Sequence, residues 1–311
     1  MARVLIDVVI VNWNSGPQLD SCLRSIGEFG VGRVGDVIVV DNGSVDGSEL
    51  AANRFDGVTL IRAGQNLGFG RACNLGAKQA RNEMILFLNP DALIYEKTLS
   101  RCLDYVVDPE YQKVGIFGVQ LIDEFGHVAR SCDRFTHHYA YLLKSFGLNT
   151  IFPKLNYNMM DWDHKDTRFV DHVIGAFFLV RRVTFDQLNG FDERFFVYLE
   201  DLDFSYRAKK SGWLSVFLAD VQAFHAGGGT SRNIKATRLF YSQRSRILYA
   251  FKHFSWWLAI LVMFSTLFAE LLSRSAFSLL KCSWSGLKET WVAYGMLFRW
   301  LPGWIFGKRT Y

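Results

Sequence analysis

The fold of this chain is indicated first by the stretch VLIDVVIVN, residues 4–12, a short apolar run rich in Val and Ile. Runs of this kind are typical of strands that are buried in a parallel sheet. A polar turn follows, and the pattern then predicts a helix over about residues 18–28 and a second strand, DVIVVD, over residues 36–41. Strand, helix and strand in this order predict two parallel strands joined by a helical crossover.

The same alternation continues to about residue 94. A third strand, VTLIR, ends near Arg62, the glycine-rich segment NLGFGRACNLGAKQA (66–80) leads into a helix, and EMILFLNPDALI (83–94) predicts a fourth strand. This spacing predicts an α/β fold, an open and mostly parallel sheet flanked by helices. Ligands bind such sheets at the carboxyl ends of the strands. The polar residues at or just beyond those ends are Asn12, Asp41, Asn66 and Asp91.

The middle of the chain predicts further strands around an irregular stretch. The apolar runs KVGIFGVQLI (113–122) and FVDHVIGAFFLVRR (169–182) are typical of strands. Between them, the aromatic residues 135–166 fit either an insertion on the acceptor side or surface decoration. The stretch WLSVFLADVQAFHAGGG (213–229) predicts a last strand followed by a loop.

Three carboxylates occupy four positions at Glu200, Asp201 and Asp203. Such crowding raises the cost of ionising each group, so it indicates a bound cation or a reaction that uses the charge. A second acidic turn contains Asp91, and His225 ends the last predicted strand. An acidic turn, an acidic cluster and a histidine on separate segments suggest a metal-assisted transfer site. The alternative is that each of them is a solvated loop or a helix cap.

The net charge of +5 is distributed unevenly along the 311 residues. Residues 1–220 hold 23 Lys and Arg against 28 Asp and Glu, whereas residues 221–311 hold 12 against 2. The positive charges of the second segment alternate with Trp, Phe and Leu, which suits an anionic membrane surface. Binding of single-stranded nucleic acid is the lesser alternative, and we expect no nucleic-acid partner.

The five cysteines and the start of the chain both indicate the cytoplasm. The cysteines show no paired spacing, which predicts reduced thiols whose role is packing. The chain enters its first apolar run directly, without a charged leader and a cleavage site, so we expect no signal peptide.

After about residue 232 the composition changes. Residues 254–269, FSWWLAILVMFSTLFA, carry no formal charge, and as a helix they would span about 24 Å, less than the roughly 30 Å hydrocarbon core. Glu270 and Arg274 then interrupt the run, and a second apolar stretch (291–306) is interrupted by Arg299 and Pro302. The pattern favours amphipathic helices that lie on the membrane or re-enter it. The alternative is that they are buried helices of a core or of a dimer interface.

Four segments together resemble glycosyltransferase family 2, which has the GT-A fold, a Rossmann-like sheet. They are VVIVNWNSGPQLDSCLRSI (8–26), VIVVDNGSVDGS (37–48), NLGFGRACNLGAKQA with LFLNPDALI (66–94), and GFDERFFVYLEDLDFSYRAKKSGW (190–213) with HAGGGTS (225–231). The resemblance covers about residues 5–250. Within the family, the pattern looks most like bacterial rhamnosyltransferases of polysaccharide and O-antigen assembly.

The resemblance implies an inverting, metal-dependent transferase. Its donor would be a dTDP- or UDP-sugar, with dTDP-rhamnose as the favoured one, and its metal would be Mn²⁺ or Mg²⁺. Its acceptor would be a glycan on a polyprenyl diphosphate, so the enzyme would work at the cytoplasmic face of the bacterial inner membrane. A homodimer is left open. A catalytically inactive module that binds nucleotide or glycan is the alternative function.

The resemblance also assigns roles to single residues. Asp201 would be the general base, and Glu200 would orient acceptor or sugar hydroxyls. Asp91 and His225 would bind the metal. The family's commoner Asp-x-Asp has Asn89 in its first place here, which leaves a neutral oxygen where a carboxylate is usual. The residues expected to bind the donor are Asn12, Trp13, Asn14, Asp41, Asn42, Asn66, Gly70, Arg71, Asn89 and Asp91.

The chain is expected to divide at about residue 232. Residues 1–232 would form the catalytic domain, with a nucleotide-sugar half at about 1–112 and an acceptor half at about 113–232. Residues 233–311 would form the helical, membrane-associating region. In that region, Arg244 and Arg246 would face a donor diphosphate or a lipid phosphate, or else only solvent.

Overall fold

The structure, a computed structural model, describes residues 4–148, 157–159, 161–227 and 234–307. It contains two compact units. The sheet unit takes its described residues from Met1–Phe135, Trp162–Glu193 and Glu200–Thr230. The helical unit takes its described residues from Thr136–Asp161, Arg194–Leu199 and Ser231–Tyr311.

The elements up to residue 145 follow the predicted alternation as far as Leu88, and a helix lies within the stretch 135–166 that was expected to be irregular. In chain order, these elements are β1 (Ile6–Asn12), α1 (Gln18–Phe29), β2 (Val34–Asp41), a 3₁₀ helix (Ser48–Arg54), β3 (Val58–Arg62), α2 (Phe69–Ala77), β4 (Met84–Leu88), β5 (Ala92–Ile94), α3 (Thr98–Val107), a 3₁₀ turn (Pro109–Tyr111), β6 (Val114–Ile122), β7 (Val128–Ala129), β8 (Cys132–Asp133) and α4 (His138–Ser145).

The remaining elements complete the sheet and add the C-terminal helices. They are β9 (Arg168–Val170), β10 (His172–Val173), β11 (Phe177–Arg181), α5 (Arg182–Gln187), α6 (Glu200–Lys210), β12 (Leu214–His225), α7 (Lys235–His253), α8 (Trp256–Phe264), a π-helical turn (Ser265–Ala269), α9 (Glu270–Leu280) and α10 (Trp284–Ile305).

The main sheet has the order β3-β2-β1-β4-β11-β6-β12-β5. The first four strands are parallel, and β6 is parallel to β12. Strand β11 is antiparallel to both of its neighbours, and β5 is antiparallel to β12. Strands β8 and β10 form a separate two-stranded ladder. The predicted α/β sheet flanked by helices is therefore confirmed, and its strands are parallel from β3 to β4 but mixed from β11 to β5.

One predicted strand is in fact two. Residues 83–94 were expected to form a single strand, but β4 and β5 pair with different partners. The chain leaves the first ladder at Asn89, and Pro90, which has no N–H to donate, follows in the turn. The correction matters because Asn89 and Asp91 lie in the turn between two separated strands.

The helical unit contains one long apolar helix that runs without a break from Trp256 to Leu280, a length of 25 residues or about 37 Å. The prediction that Glu270 and Arg274 interrupt this helix is wrong. Glu270 is buried inside it and pairs with Arg246 and Arg274, so its charge is neutralised. By length and composition alone this helix could cross a membrane, and 39% of its most apolar window is buried inside the protein. Helix α10 likewise continues past Arg299 and Pro302.

Two helical glycines provide a matched test of the packing between α2 and the sheet. A Cβ on Gly76 would lie 2.5 Å from Cγ1 of Val9 and 3.0 Å from Cγ2 of Val40, whereas a Cβ on Gly27 in α1 would meet nothing within 4 Å. We expect Gly76→Ala to lower the free energy of unfolding by about 1–3 kcal/mol through overpacking. We expect Gly27→Ala to raise it by about 0.5–1 kcal/mol through helix propensity. Urea unfolding followed by circular dichroism measures both, and equal shifts would contradict the close approach.

Candidate active site

The loops after β1 and β2 are held together by Asn12. The register of the two strands places Asn12 opposite Asp41. The amide nitrogen of Asn12 lies 3.1 Å from Oδ1 of Asp41, 3.0 Å from Oγ of Ser44 and 2.9 Å from Oγ of Ser48. Its amide oxygen accepts from Ser15. Asn12 is fully buried, and both ends of its amide are hydrogen-bonded within the protein. In the structure its side chain therefore holds the two loops together rather than facing a nucleotide-sugar, as was predicted.

Trp13 and Asn14, the next two residues, are partly exposed. The backbone N–H of Asn14 donates to Oγ of Ser44 (3.0 Å), and its Oδ1 accepts the N–H of Val45 (2.8 Å). Asn14 therefore joins the two loops, with its backbone in the left-handed region at φ 48°. The ring of Trp13 remains partly accessible to a ligand.

Asn42 and Asn66 shape the entry to α2. Asn42 is buried, donates to Oδ1 of Asn66 (3.0 Å) and accepts the N–H of Leu67 (2.8 Å). Oδ1 of Asn66 also accepts the N–H of Gly68 (3.0 Å), whose φ of 85° favours glycine. No side chain caps the start of α2. Its first backbone N–H groups are thus suited to an anion.

The first turn of α2 packs closely against the acidic segment. A Cβ on Gly70 would lie 3.3 Å from Cβ of Phe191 and 3.5 Å from Cβ of Glu200. Arg71 is partly exposed and lies 3.6 Å from Glu193. The absence of a side chain at Gly70 is therefore what allows α2 to approach Glu200.

Asp91 and His225 form a pair at the junction of β5 and β12. The antiparallel register sets His225 opposite Ala92, next to the turn that carries Asp91. Nε2 of His225 lies 3.4 Å from Oδ1 of Asp91, and the N–H of Ala226 donates to the carbonyl of Asp91 (3.1 Å). The predicted neighbourhood of these two residues is thus present in the structure.

This pair fits the geometry of a divalent cation. Bonds of about 2.0–2.1 Å to an octahedral ion put adjacent donor atoms about 3 Å apart, close to the observed separation. Within the described residues, no group of three or more His, Cys, Asp or Glu side chains could hold a metal. The protein part of such a site would be small, as is usual where substrate phosphates complete the coordination.

The acidic segment enters α6 through a strained turn. Tyr198 (φ 68°) and Leu199 (φ 67°) both have left-handed backbone, and Glu200 begins the helix. Non-glycine residues in this region cost on the order of 1–3 kcal/mol each and cluster at functional sites. The strain therefore marks the start of α6 as a candidate site, as its carboxylates do.

The three carboxylates of α6 have three different environments. Asp203 is fully buried and accepts from Nε of Arg207 at 2.8 Å, which makes it part of the interior. Glu200 is buried, and its Oε2 has no hydrogen-bond partner in the described part of the chain. Burial, followed by the charge of Asp201, raises the pKa of Glu200 well above its usual range. Burial and the neighbouring charge thus both favour the protonated form of Glu200.

Asp201 is the accessible member of the cluster, with 16% of its side chain exposed. Its Oδ2 accepts the N–H of Gly175 (2.8 Å) and lies 3.4 Å from Nε2 of His172. Burial alone would raise the pKa of Asp201, but the charge of His172 and the backbone N–H groups of Gly175 and Leu202 lower it. Sequence reasoning missed His172, because a single histidine in a two-residue strand looks like any core histidine.

Two backbone hydrogen bonds connect the turn that carries Asp91 to the Asp201 carboxylate. The N–H of Asn89 donates to the carbonyl of Ala176 (3.0 Å), and the N–H of the preceding Gly175 donates to Asp201. Asp91 and Asp201 therefore lie at the same end of the strands, the carboxyl end of β4, on either side of the start of β11. Among the predicted site residues, the structure brings Asn89, Asp91, Glu200, Asp201 and His225 together around this end.

Arg244 and Arg246 lie in the helical unit. Arg246 is buried in an ion pair with Glu270, and its guanidinium stands 5.3 Å from the ring centre of Tyr141. Arg244 is also largely buried, 5.5 Å from the ring centre of Trp300. The guanidinium of Arg246 is thus used inside the chain, which corrects the expectation that it faces a phosphate. For Arg244 that role stays a prediction.

Comparison with known proteins gives relatives that agree with this arrangement. A family model described as glycosyl transferase family 2 matches residues 7–187. The N-acetylglucosaminyl-diphospho-decaprenol L-rhamnosyltransferase of Mycobacterium tuberculosis is 29% identical over 275 residues, which cover 82% of this chain and 87% of that protein. The rhamnosyltransferase WbbL of Escherichia coli is 30% identical over 204 residues, which cover 61% of this chain and 71% of WbbL.

Solved structures share the fold. The mannosyltransferase PcManGT of Pyrobaculum calidifontis, solved with GDP-Man and Mn²⁺, superposes with a TM-score of 0.56 at 16% identity, and the match covers 95% of this chain and 87% of that one. At that identity the likeness concerns the fold alone, and it confirms the GT-A architecture. Because the family model matches more than half of the sequence, the chain belongs to glycosyl transferase family 2.

Proposed function

We propose that this glycosyltransferase moves rhamnose from dTDP-rhamnose to a glycan carried on a polyprenyl diphosphate, with inversion at the anomeric carbon. The observation that carries the proposal is the common strand end of Asp91, His225 and Asp201, linked through Gly175 and Ala176. The choice of sugar and acceptor rests on the relatives, two of which are named as rhamnosyltransferases, one of them acting on a diphospho-decaprenol.

Asp201 would act as the general base. An acceptor hydroxyl would attack the anomeric carbon as its proton passes to the Asp201 carboxylate. The bond from that carbon to the diphosphate would break, and the nucleoside diphosphate would leave with the electron pair. A positioned base contributes about 10²–10⁴-fold to such a step. The low pKa of Asp201 keeps the carboxylate ionised for this role.

Asp91 and His225 would hold Mn²⁺ or Mg²⁺, which when bound neutralises charge on the diphosphate. The uncapped N-terminus of α2, with Arg71 in its first turn, would add positive potential for the same group. Trp13, which is partly exposed, would meet the base, and Asp41, which is itself buried and accepts from Asn12, would meet the ribose. The side chains of Asn12 and Asn42 are likewise buried and hydrogen-bonded.

The helical unit would attach the enzyme to an anionic membrane surface at the cytoplasmic face. A stripe of large apolar side chains repeats along Trp256–Leu280 at intervals of three or four residues, and each is 44% to 69% exposed. The members of this stripe are Trp257, Leu261, Phe264, Phe268 and Leu272. Exposed apolar areas of this kind mark interaction sites, and the net positive charge of residues 221–311 favours anionic lipid over a protein partner.

Replacing the general base tests the reaction. We expect Asp201→Asn to lower transfer from dTDP-rhamnose to a polyprenyl-diphosphate glycan by about 10²–10⁴-fold, measured with radiolabelled donor, while the variant stays folded. The matched control in the same helix is Asp203→Asn, which should lower stability by about 3–5 kcal/mol because Arg207 loses its buried partner. A folded Asp201→Asn protein with full activity would refute the assignment. A wild type that binds donor tightly without turnover would favour the inactive binding module.

Introducing a second carboxylate beside Asp91 tests the metal site. We expect Asn89→Asp to tighten Mn²⁺ binding roughly tenfold, about 1.4 kcal/mol, because a charged ligand replaces a neutral one. Asp91→Asn should weaken binding by at least a similar factor. Titration calorimetry with Mn²⁺ in the presence of dTDP measures both. If neither substitution changes Mn²⁺ affinity, Asp91 is not a ligand.

Liposome flotation tests the membrane surface. We expect the wild type to float with vesicles containing phosphatidylglycerol, and binding should weaken as salt screens the charges. The combined change Trp257→Ser, Phe264→Ser and Phe268→Ser should reduce the bound fraction at least about tenfold, since each buried aromatic contributes about 1.5–3 kcal/mol. The matched control is Val45→Ser with Phe125→Ser, two exposed apolar residues of the sheet unit. No binding at low salt would remove the membrane proposal.

A further inference from the structure

His172 is a buried histidine that the reaction described above does not use. It lies in the short ladder of β8 and β10, where it stands opposite Asp133, and its side chain is only 5% exposed. At that exposure the imidazole cannot touch the acceptor glycan or the nucleotide-sugar directly. Its Nε2 nevertheless lies 3.4 Å from Oδ2 of Asp201. Any effect of His172 on the reaction must therefore pass through Asp201.

The backbone around His172 is fixed on both sides. The N–H of Phe135 donates to Oδ2 of Asp171 (3.0 Å), and the N–H of Ile174 donates to the carbonyl of Ser131 (3.0 Å). A Cβ on Gly118 would lie 2.6 Å from Cγ1 of Val173, so this strand packs tightly against β6. The imidazole therefore approaches Asp201 from a rigid ladder, which is what orienting a carboxylate requires.

Three carboxylates act on the pKa of His172. Asp133 faces it across the ladder and Asp171 precedes it, while Asp201 comes from α6. Burial alone would lower the pKa of His172, but these three carboxylates raise it. Burial, followed by the charge of Asp201, raises the pKa of Glu200, the neighbour of Asp201 on α6. An imidazolium at this place is therefore surrounded by charges that stabilise it.

The remaining strands that pack against β10 bring no competing cation. Strand β6 has no ionisable side chain. In β12, Asp220 is paired with Arg101, and His225 lies against Asp91. Within the described residues, the closest ion pair of His172 is thus with Asp201 in the acidic cluster of α6.

We propose that His172 is a positioning residue for the general base, whose imidazolium orients the Asp201 carboxylate and keeps it ionised inside a largely buried site. This inference rests on the proposed function, in which Asp201 takes the acceptor proton. In this arrangement Asp201 would contact the substrate, and His172 would lie behind Asp201 without touching the substrate.

The pH profile of transfer tests this role. In the wild type, His172 lowers the pKa of Asp201, so activity persists to low pH and is lost only as the carboxylate gains a proton. In His172→Gln, the charge of His172 no longer opposes burial, so the pKa of Asp201 rises. The acidic limb of kcat/KM then moves to higher pH. We expect a loss of about tenfold or more near pH 6 and of only about twofold near pH 9.

A matched control separates this effect from a structural one. His164 is equally buried in the sheet unit and stacks on Trp162 with ring centres 4.1 Å apart. We expect His164→Gln to lower stability without moving the acidic limb. A uniform loss of activity at all pH values in His172→Gln, with the limb unmoved, would overturn the proposal.

A second measurement does not depend on activity. Imidazole resonances of the full chain, assigned to His172 by comparison with His172→Gln, should titrate at higher pH in the wild type than in Asp201→Asn. An unchanged midpoint would show that the two groups do not interact and would overturn the proposal. If instead Asp201→Asn keeps full transferase activity while this midpoint falls, the proposed general base fails and the pairing of His172 with Asp201 stands.

Discussion

The candidate site depends on the way the chain enters β11. The N–H of Asn89 bonds to the carbonyl of Ala176, and the N–H of Gly175 bonds to Asp201. Because β11 lies antiparallel between β4 and β6, its first residues stand at the carboxyl end of β4. One short stretch of backbone therefore fixes both the turn that carries Asp91 and the carboxylate at the head of α6. A parallel strand at this place would bring its last residues to that end instead.

Environment rather than residue type separates the three acids of α6. Asp203 and Arg207 form an interior ion pair that also anchors the carbonyls of Leu188 and Gly190. Glu200 is buried without a partner for Oε2, whereas Asp201 has a backbone donor and a nearby imidazole. Pairs of carboxyl groups whose pKa values are pushed apart are typical of sites that need both an acid and a base. The sequence shows three adjacent carboxylates, and only the fold distinguishes them.

Much of the sheet could be predicted because burial in a parallel sheet produces short apolar runs. The first three strands and α1 lie within two residues of their predicted bounds. The division of residues 83–94 into β4 and β5 could not be predicted, because it depends on partners more than 80 residues further along the chain. The same holds for His172, whose significance comes from a carboxylate 29 residues away. For the site residues themselves, the structure gives neighbours and burial, while their roles remain predictions.

The long helix of the helical unit shows why charge alone was a poor guide there. Glu270 does not end the helix because Arg246 and Arg274 hold its carboxylate, and together they lower its pKa to about 2 against the opposing effect of burial. Glu270 and Arg246 are buried and Arg274 is partly exposed, while the aromatic stripe on the long helix faces solvent. A core helix of a soluble protein shows the reverse, with apolar residues buried and charges outside. Exposed apolar faces of this kind mark interaction sites, which is the basis on which a lipid surface is proposed for it.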